Sequence, residues 1–271
     1  MRLPLSFRKA LALPVRRLRL RIHTGPNRGM RWSVAAAGRA MAAGGFEPER
    51  FQAFAAMLRP DDVLWDVGAH QGYSVLVAAG RISGRAGHIY AFEPSGYNLW
   101  YLRKHLAWNG VGNAEVIPVA LSDFCGGASF GGAGSSACFA LDCGRERVNV
   151  STIDCMVSEG LRPPTVLKVD AEGAETQVLG GARDLLARAA ATGTLPLLLL
   201  SVHSSLNYQG CLQIMRSFGY RVVASRNLEK HRQKEGNWMG DPDLLAIPPG
   251  RDLSEALRTP WFAAGLTLDP G

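Results

Sequence analysis

The chain has 271 residues, of which 47% are hydrophobic and 20% are charged. This composition is typical of a globular protein that buries a full core, and it argues against a disordered chain. The longest strongly apolar run, residues 195–200, is far shorter than the ~20 residues that a membrane-spanning helix needs. The N-terminus does not predict a signal peptide, because its apolar stretch, residues 10–15, contains Pro14 and is followed directly by arginines. We therefore expect a cytoplasmic protein with one large α/β domain and a modest N-terminal extension.

The net charge of +7 arises largely from a basic cluster near the N-terminus, formed by Arg8, Lys9, Arg16, Arg17, Arg19 and Arg21. Such a cluster could contact nucleic acid, an anionic membrane surface or an acidic substrate, although a solvated basic arm is the plainer interpretation. No aromatic residue interleaves these basic residues, which argues against a stacking platform for single-stranded nucleic acid. We therefore do not expect a nucleic-acid partner, and peripheral membrane contact stays open.

The five cysteines are Cys125, Cys138, Cys143, Cys155 and Cys211. None of them forms a C-x-x-C pair, and their number is odd, so neither a zinc site nor a disulfide framework is expected. Reduced thiols in the cytoplasm are the simplest interpretation.

Residues 1–45 give mixed signals and are interpreted as the basic N-terminal extension. Within it, the glycines and proline of residues 25–29 indicate a turn, and residues 31–36 indicate a short strand. A helix is expected to begin near Pro48 and to end before Pro60, because a residue that precedes proline disfavours the helical conformation.

From residue 63 onward, the sequence alternates between strand and helix patterns. Strands are predicted at 63–67, 88–92, 114–119, 148–152, 166–169, 195–202, 221–224 and 244–247, and helices at 72–79, 97–108, 174–189 and 211–218. The glycine- and serine-rich segment 126–136 predicts a loop or an irregular hairpin. The alternation predicts a doubly wound parallel sheet in a domain that spans residues 46–250, followed by a C-terminal tail, 251–271.

A glycine motif, DVGAHQGY, follows the first predicted strand of this domain and opens a helix. Glycine lets the backbone approach a ligand closely, and ligands of such sheets bind at the carboxyl ends of the strands. A dinucleotide fingerprint, G-x-G-x-x-G, needs a glycine where His70 stands, so the motif favours S-adenosylmethionine, which has no phosphate, over NAD. The candidate cofactor contacts in this motif are Asp66, Gly68, His70, Gly72 and Tyr73.

Two further strand ends carry candidate cofactor contacts. Glu93 ends the second strand of the domain, where a carboxylate can accept hydrogen bonds from both hydroxyls of a ribose, and Pro94 fixes the turn that follows. The alternative is a surface carboxylate. Ser122 and Asp123 follow the third strand and suit contact with the edge of an adenine, but an Asx-type turn explains them equally well.

The candidate catalytic residues follow the next two buried strands. Asp170 and Glu172 come after one strand and His203 after the other, so all three are expected at the edge where the cofactor binds. His203 could serve as a general base, or it could be a structural histidine. Glu172 and Glu175 could instead cap the following helix. Lys168 lies within an apolar strand and is expected to pair with a carboxylate.

Together these motifs resemble the FkbM-type family of S-adenosylmethionine-dependent methyltransferases. The matching segments are WDVGAHQGYS, YAFEPSGYN, VALSD, VSTID, LKVDAEGAETQVLGGA and SFGYRV, which follow one another between residues 45 and 247. The resemblance implies a Rossmann-like class I methyltransferase fold, which is α/β with a seven-stranded, mostly parallel sheet, a reversed final strand and helices on both faces. It also implies methyl transfer to a hydroxyl of a sugar, glycolipid or natural product. By this resemblance Asp66, Gly68 and Gly72 lie in the cofactor loop, Glu93 at the ribose, Asp123 beside the adenine, and Asp170 and Glu172 after the fourth strand.

One position departs from the family pattern. The family often has an acidic residue two positions before the histidine of the fifth strand, and here that position is Ser201. This departure keeps open a cofactor-binding module without catalysis, while a nucleotide-binding oxidoreductase is the other alternative. No metal is expected, although Asp170, Glu172 and His203 could offer ligands, because their spacing is not diagnostic.

Overall fold

The computed structural model describes residues 17–36, 39–131, 140–141, 146–225, 242–263 and 267–268. The strands are β1 Arg19–Arg21, β2 Arg31–Ser33, β3 Val63–Val67, β4 His88–Phe92, β5 Ala114–Ile117, β6 Val119–Leu121, β7 Gly126–Gly131, β8 Ala140–Leu141, β9 Glu146–Ser151, β10 Val166–Val169, β11 Leu197–Ser201, β12 Arg221–Ala224, β13 Asp243–Ile247 and β14 Thr267–Leu268. The helices are α1 Arg39–Ala43, α2 Pro48–Met57, α3 Tyr73–Ala79, α4 Gly96–Trp108, α5 Ile153–Ser158, α6 Glu175–Gly180, α7 Arg183–Thr192, α8 Ser205–Ser217 and α9 Ser254–Leu257.

The main sheet has the strand order β14-β12-β13-β11-β10-β3-β4-β5. The strands from β11 to β5 are parallel, and β13 runs antiparallel to both of its neighbours, β11 and β12. The two-residue strand β14 extends the edge beyond β12. The predicted seven-stranded, mostly parallel sheet is therefore confirmed. The chain builds outward from β3 through β4 to β5 and returns to the other side at β10, so the switch point of the sheet lies between β3 and β10.

Helices cover both faces of this sheet, and alternate strand residues belong to two separate cores. On β3, Leu64 packs into the core under α1 to α4 and α9, whereas Val63 and Trp65 pack into the core under α5 to α8. Burial on both faces explains why these strands are mostly apolar and show no polar alternation.

The strand predicted at 114–119 is divided in two at Pro118. β5 stays in the main sheet, while β6 pairs in parallel with β9 in a second sheet that has the order β6-β9-β7-β8. Proline cannot donate a ladder hydrogen bond, so the strand leaves the main sheet there. The segment 126–136, predicted as a loop or an irregular hairpin, begins with a regular strand, β7, which pairs antiparallel with both β8 and β9; residues 132–136 lie outside the described residues.

The helix predicted at 174–189 is also divided into two helices. The first, α6, ends at Gly180, and the second, α7, begins at Arg183. Gly181 packs so closely on the end of β6 that a Cβ atom would lie 2.1 Å from the carbonyl oxygen of Ser122. The helix predicted at 211–218 begins earlier, at residue 205, because the side chain of Ser204 accepts a hydrogen bond from the backbone N–H of Asn207 and caps it.

Residues on both sides of the predicted boundaries at 45 and 250 pack against each other. Trp32 is fully buried in the main core, where its ring stacks on His105 at a centroid distance of 3.7 Å. Arg251 donates to both carboxylate oxygens of Asp62 at 3.0 and 2.7 Å, and Trp261 is also buried. Described residues of both terminal segments, such as Ile22 and Trp261, therefore pack in the same core as the central domain. Among the described residues, no helix is long and apolar enough to span a membrane.

Candidate active site

A cavity of about 700 Å³ opens at the carboxyl ends of β3, β4 and β10, at the switch point of the sheet. Its wall includes the predicted residues Gly68, His70, Tyr73, Glu93, Pro94, Ser122, Asp123, Asp170 and Glu172. Three predicted residues, Asp66, Gly72 and His203, lie behind this wall. Helices α1 and α2 and the segment between them add Met41, Phe46, Arg50 and Phe51, none of which the sequence motifs indicated.

Gly68 lets the loop after β3 touch the segment after β10. Its φ angle is +77°, and a Cβ atom there would lie 1.9 Å from the carbonyl oxygen of Asp170. No other residue type fits, because both the backbone conformation and the contact distance exclude a side chain. Gly72 has a different role, since a Cβ atom there would meet the side chain of Leu102 on α4 at 2.6 Å. Gly72 thus allows α4 to pack closely against the start of α3, and it does not line the cavity.

Asp66 is completely buried and connects three elements behind the cavity. Its Oδ1 accepts a hydrogen bond from Lys168 Nζ at 2.8 Å, and its Oδ2 accepts one from Ser74 Oγ at 2.5 Å. The predicted pairing of Lys168 with a carboxylate is confirmed. Burial alone would lower the pKa of Lys168, but Asp66 and Asp170 together raise it above its ordinary value. Asp66 therefore fixes the lysine and the start of α3.

Glu93 is 4% exposed and lies on the wall with its carboxylate held by three protein donors. Oε1 accepts from the N–H of Ser95 at 2.9 Å and from Asn98 Nδ2 at 3.3 Å, and Oε2 accepts from the N–H of His70 at 2.8 Å. Burial raises the pKa of Glu93 to about 7, although these hydrogen bonds oppose the rise. A carboxylate has about four acceptor positions, so about one ordinary position remains beyond these three protein donors.

Ser122 and Asp123 lie on the wall at the end of β6, in the second sheet. Ser122 Oγ donates to Asp123 Oδ1 at 3.3 Å, and the exposed side chain of Asp123 stands next to Phe124, which also lines the cavity. This part of the wall combines a carboxylate acceptor with an aromatic surface.

Asp170, Glu172, His203 and Glu175 form one acid–histidine cluster beside the cavity. His203 Nε2 lies 3.6 Å from Asp170 Oδ1 and 3.5 Å from Glu172 Oε2. On the other side of the ring, Nδ1 lies 2.7 Å from Oε1 of the fully buried Glu175. That oxygen also accepts from the N–H of Gly173 at 2.9 Å, so Glu175 caps the turn and orients the imidazole at once. The sequence had suggested Glu175 only as a possible cap of the following helix.

Ser201, at the position where the family often has an acid, belongs to a second buried cluster. Ser201 Oγ donates to Asp243 Oδ1 at 2.8 Å, and Arg50 contacts both residues, with its Nε 2.9 Å from Asp243 Oδ2. Arg50 also reaches Asp170 at 3.4 Å. Burial alone would raise the pKa of Asp170, but Lys168, Arg50 and His203 hold it below its ordinary value. Asp170 therefore stays ionised at neutral pH.

The cluster could also hold a divalent cation. One potential ligand atom from each of Asp170, Glu172 and His203 lies within 4.8 Å of the other two, and two carboxylates with an imidazole are a plausible ligand set. The positively charged side chains of Arg50 and Lys168 already balance part of the negative charge of this cluster, since they lie 3.4 and 3.8 Å from Asp170.

The strand order and the switch-point cavity define a class I methyltransferase fold. A family model described as the methyltransferase FkbM domain matches residues 66–222, which is more than half of the chain. The chain belongs to this FkbM methyltransferase family, and its cofactor is S-adenosylmethionine. The predicted family resemblance is confirmed.

Solved structures share this fold at low sequence identity. Methyltransferase FkbM from Methylobacillus flagellatus KT is 17% identical with a TM-score of 0.50, and the alignment covers 78% of this chain and 56% of that protein. Precorrin-6y C5,15-methyltransferase from Geobacter metallireducens GS-15 is 13% identical, with a TM-score of 0.45 and coverages of 78% and 92%. Aeropyrum pernix fibrillarin with bound S-adenosyl-L-methionine is 12% identical, with a TM-score of 0.41 and coverages of 71% and 68%. This chain thus spans little more than half of the FkbM neighbour. No curated protein matches the sequence at a significant level.

Proposed function

We propose that this protein is an O-methyltransferase that transfers the methyl group of S-adenosylmethionine to a hydroxyl of a sugar, glycolipid or natural product. The observation that carries the proposal is the acid–histidine cluster at the edge of the cofactor cavity, where Asp170 and Glu172 contact His203 and Glu175 orients it. A hydroxyl is a poor nucleophile until its proton leaves, so an oxygen acceptor needs a nearby base.

The cavity wall suggests how the cofactor lies in it. The adenine packs beside Asp123 and Phe124, and one ribose hydroxyl donates to Glu93. The methionine end then follows the loop from Gly68 to His70 toward Asp170. This placement brings the positively charged sulfonium toward an edge that is rich in carboxylates, which favours the cofactor electrostatically.

Within the cluster, the residues divide the work of positioning and proton transfer. Asp170 is paired with Lys168 and Arg50, so it is a weak base and orients its neighbours. Glu172 lies on the cavity wall with a third of its side chain exposed, so it can meet the acceptor. His203 lies behind Glu172 and shares the proton that Glu172 accepts, while Glu175 keeps the imidazole in place. Aligning the acceptor with the sulfonium methyl supplies the rest of the acceleration.

The sequence left two alternative functions open. Membership in a methyltransferase family removes the nucleotide-binding oxidoreductase. A module without catalysis rested on Ser201, but Glu175 supplies a carboxylate to His203 from α6 at 2.7 Å. Glu175 can therefore orient the imidazole of His203 in place of an acid at position 201.

The test combines product identification with variants of the cluster. Cofactor labelled with ¹³C in its methyl group is incubated with hydroxylated sugars, glycolipids and polyketide-type compounds, each paired with its deoxy analogue, and the products are analysed by mass spectrometry and NMR. We expect a labelled methyl ether from at least one hydroxyl compound and none from its deoxy partner. A labelled product on nitrogen or carbon alone would contradict the proposal.

With that acceptor, Glu172→Gln and His203→Ala should lower kcat by about 10²-fold or more while the affinity for S-adenosylhomocysteine stays within about twofold. Glu175→Gln should lower kcat less, because it disturbs only the orientation of the ring. His23→Ala is the matched control, since His23 is exposed and does not line the cavity. Full activity of both Glu172→Gln and His203→Ala from pH 6 to 9 would refute the base assignment. Loss of activity in EDTA with recovery on adding Mg²⁺ would instead assign the cluster to a metal.

A further inference from the structure

Two cysteines that are 30 positions apart in the sequence meet beside the cofactor cavity. Cys125 Sγ lies 2.8 Å from Cys155 Sγ, although neither residue belongs to a C-x-x-C motif. Cys125 lies between β6 and β7, and Cys155 lies in the first turn of α5. A disulfide needs its sulfurs at about 2.05 Å, so only a small movement separates this thiol pair from a covalent link.

The surroundings of Cys125 suit a reactive thiol. Its side chain is exposed, and contacts with the Cys155 thiol and with the backbone N–H of Thr152 lower its pKa below the ordinary value. The neighbouring hydroxyl of Ser151 lies 3.8 Å from its sulfur. Cys211 provides the contrast within the same chain, because burial raises its pKa to about 12 and keeps it unreactive.

The pair adjoins the wall of the cavity that we assign to the adenine. Asp123 and Phe124 line the cavity and directly precede Cys125 in the chain. The backbone N–H of Cys155 is fixed by the hydroxyl of Thr152 at 2.9 Å, so one partner is anchored on a helix. A covalent link would therefore tie the segment 122–125 to α5.

We propose that Cys125 and Cys155 are a reversible redox site whose disulfide restrains the cavity wall formed by Asp123 and Phe124. The oxidant is a small disulfide of the glutathione class. The Cys125 thiolate attacks one sulfur of that disulfide, forms a mixed disulfide and releases one small thiol. The Cys155 thiolate then attacks the Cys125 sulfur and releases the second. Overall, two protein thiols and one small disulfide become one protein disulfide and two small thiols.

Full-length protein is equilibrated with mixtures of reduced and oxidised glutathione, alkylated, digested without reduction and mapped by mass spectrometry. We expect a peptide pair linked through Cys125 and Cys155 that dithiothreitol separates, while Cys211 becomes alkylated only after denaturation. The link should persist in C138S/C143S and vanish in Cys125→Ser and in Cys155→Ser. In Cys155→Ser, Cys125 should accumulate as the glutathione mixed disulfide. Free Cys125 and Cys155 in oxidised glutathione alone, or a stable mixed disulfide in the wild type, would overturn the proposal.

Two further measurements test the restraint. Oxidation should raise the Tm by about 5 °C or more, because the link closes a loop of about 30 residues in the unfolded chain. Oxidised protein should also release S-adenosylhomocysteine about threefold or more slowly, since the wall beside the cofactor moves less. Both changes should be absent in the serine variants. An unchanged release rate in fully linked protein would overturn the restraint, whatever the acceptor of the methyl group.

Discussion

Glu93 offers a sharp test of the site because its charge is costly to the fold and, in the proposed site, accepts a hydrogen bond from the cofactor. The side chain is almost fully buried, and its pKa is raised from 4.5 to about 7. Glu93→Gln replaces the ionisable group by one that is always neutral and nearly the same size. The variant therefore carries no charge at any pH, and its amide nitrogen loses the hydrogen bonds that one of the two carboxylate oxygens accepts; that loss is the same at every pH.

The difference of about 2.5 pH units corresponds to about 3 kcal/mol, since each unit is worth about 1.36 kcal/mol. Between pH 4.5 and 7 the folded protein keeps the Glu93 proton that the unfolded chain has already lost. Unfolding therefore releases a proton in this window, and the free energy of unfolding falls as the pH rises. The contribution is fully present below pH 4.5, is lost as the pH passes 7 and stays constant above that.

The assay is urea denaturation of the ligand-free wild type and of Glu93→Gln at half-unit steps from pH 4.5 to 8.5. All other titrating groups are shared, so the difference between the two curves isolates Glu93. We expect the wild type to lose about 3 kcal/mol relative to the variant across the window. Parallel curves would show that the Glu93 carboxylate is well solvated or that its hydrogen bonds offset the burial.

Cofactor binding should depend on the same proton in the opposite sense. An ionised Glu93 accepts a hydrogen bond from a ribose hydroxyl at its one remaining position, and such a bond to a charged group is worth ~1.5–3 kcal/mol. The affinity of the wild type for S-adenosylhomocysteine should therefore fall as the pH drops below 7. Glu93→Gln should bind about tenfold more weakly at pH 8 and show little dependence on pH. Unchanged affinity in the folded variant would remove Glu93 from the cofactor site.

Two more predictions concern the scaffold. Deletion of residues 1–16 should leave the affinity for S-adenosylhomocysteine unchanged in calorimetry, whereas Trp32→Ala should cost about 3–5 kcal/mol in denaturation because it removes a buried ring that stacks on His105. A loss of less than 1 kcal/mol in the free energy of unfolding would indicate that the segment around Trp32 is an extension outside the core. Lys168→Met should cost about 3–5 kcal/mol, since it leaves the charge of Asp66 buried without its partner, and adding Asp66→Asn should recover part of that loss. Equal stability of the single and double variants would contradict the pairing.

The sequence predicted the buried strands well because their apolar runs have no competing interpretation. The bounds of β3, β4, β10 and β12 agree with the predictions at both ends. The prediction was weaker where a tertiary contact overrides the local pattern. Gly181 lies within a good helical sequence, yet the helix is interrupted there, where Gly181 packs directly against the carbonyl of Ser122. A packing partner about 60 positions away is invisible to a periodicity argument.

The same distinction applies to the site. The rule that parallel strands share one edge correctly brought Asp170 and Glu172 to His203, since it depends only on strand ends. It could not show that the ring of His203 lies behind the cavity wall, or that Glu175 holds it, because both depend on the rotation of side chains. No sequence motif pointed to Arg50. It lies on a helix in the N-terminal part of the chain and reaches the site only through the packing of α2.

Ser201 shows why a single position can mislead. Read along the chain, it replaces an acidic residue and suggests a weakened active site. In the sheet, however, Ser201 pairs directly across from Asp243 on the antiparallel strand β13, and the two side chains are hydrogen-bonded at 2.8 Å. A carboxylate therefore lies one strand away from the expected position, in contact with Arg50, while a different carboxylate, Glu175, serves His203. The charges that the cluster needs are supplied by neighbours in space, so the loss of an acid at one position in the sequence does not imply its loss from the site.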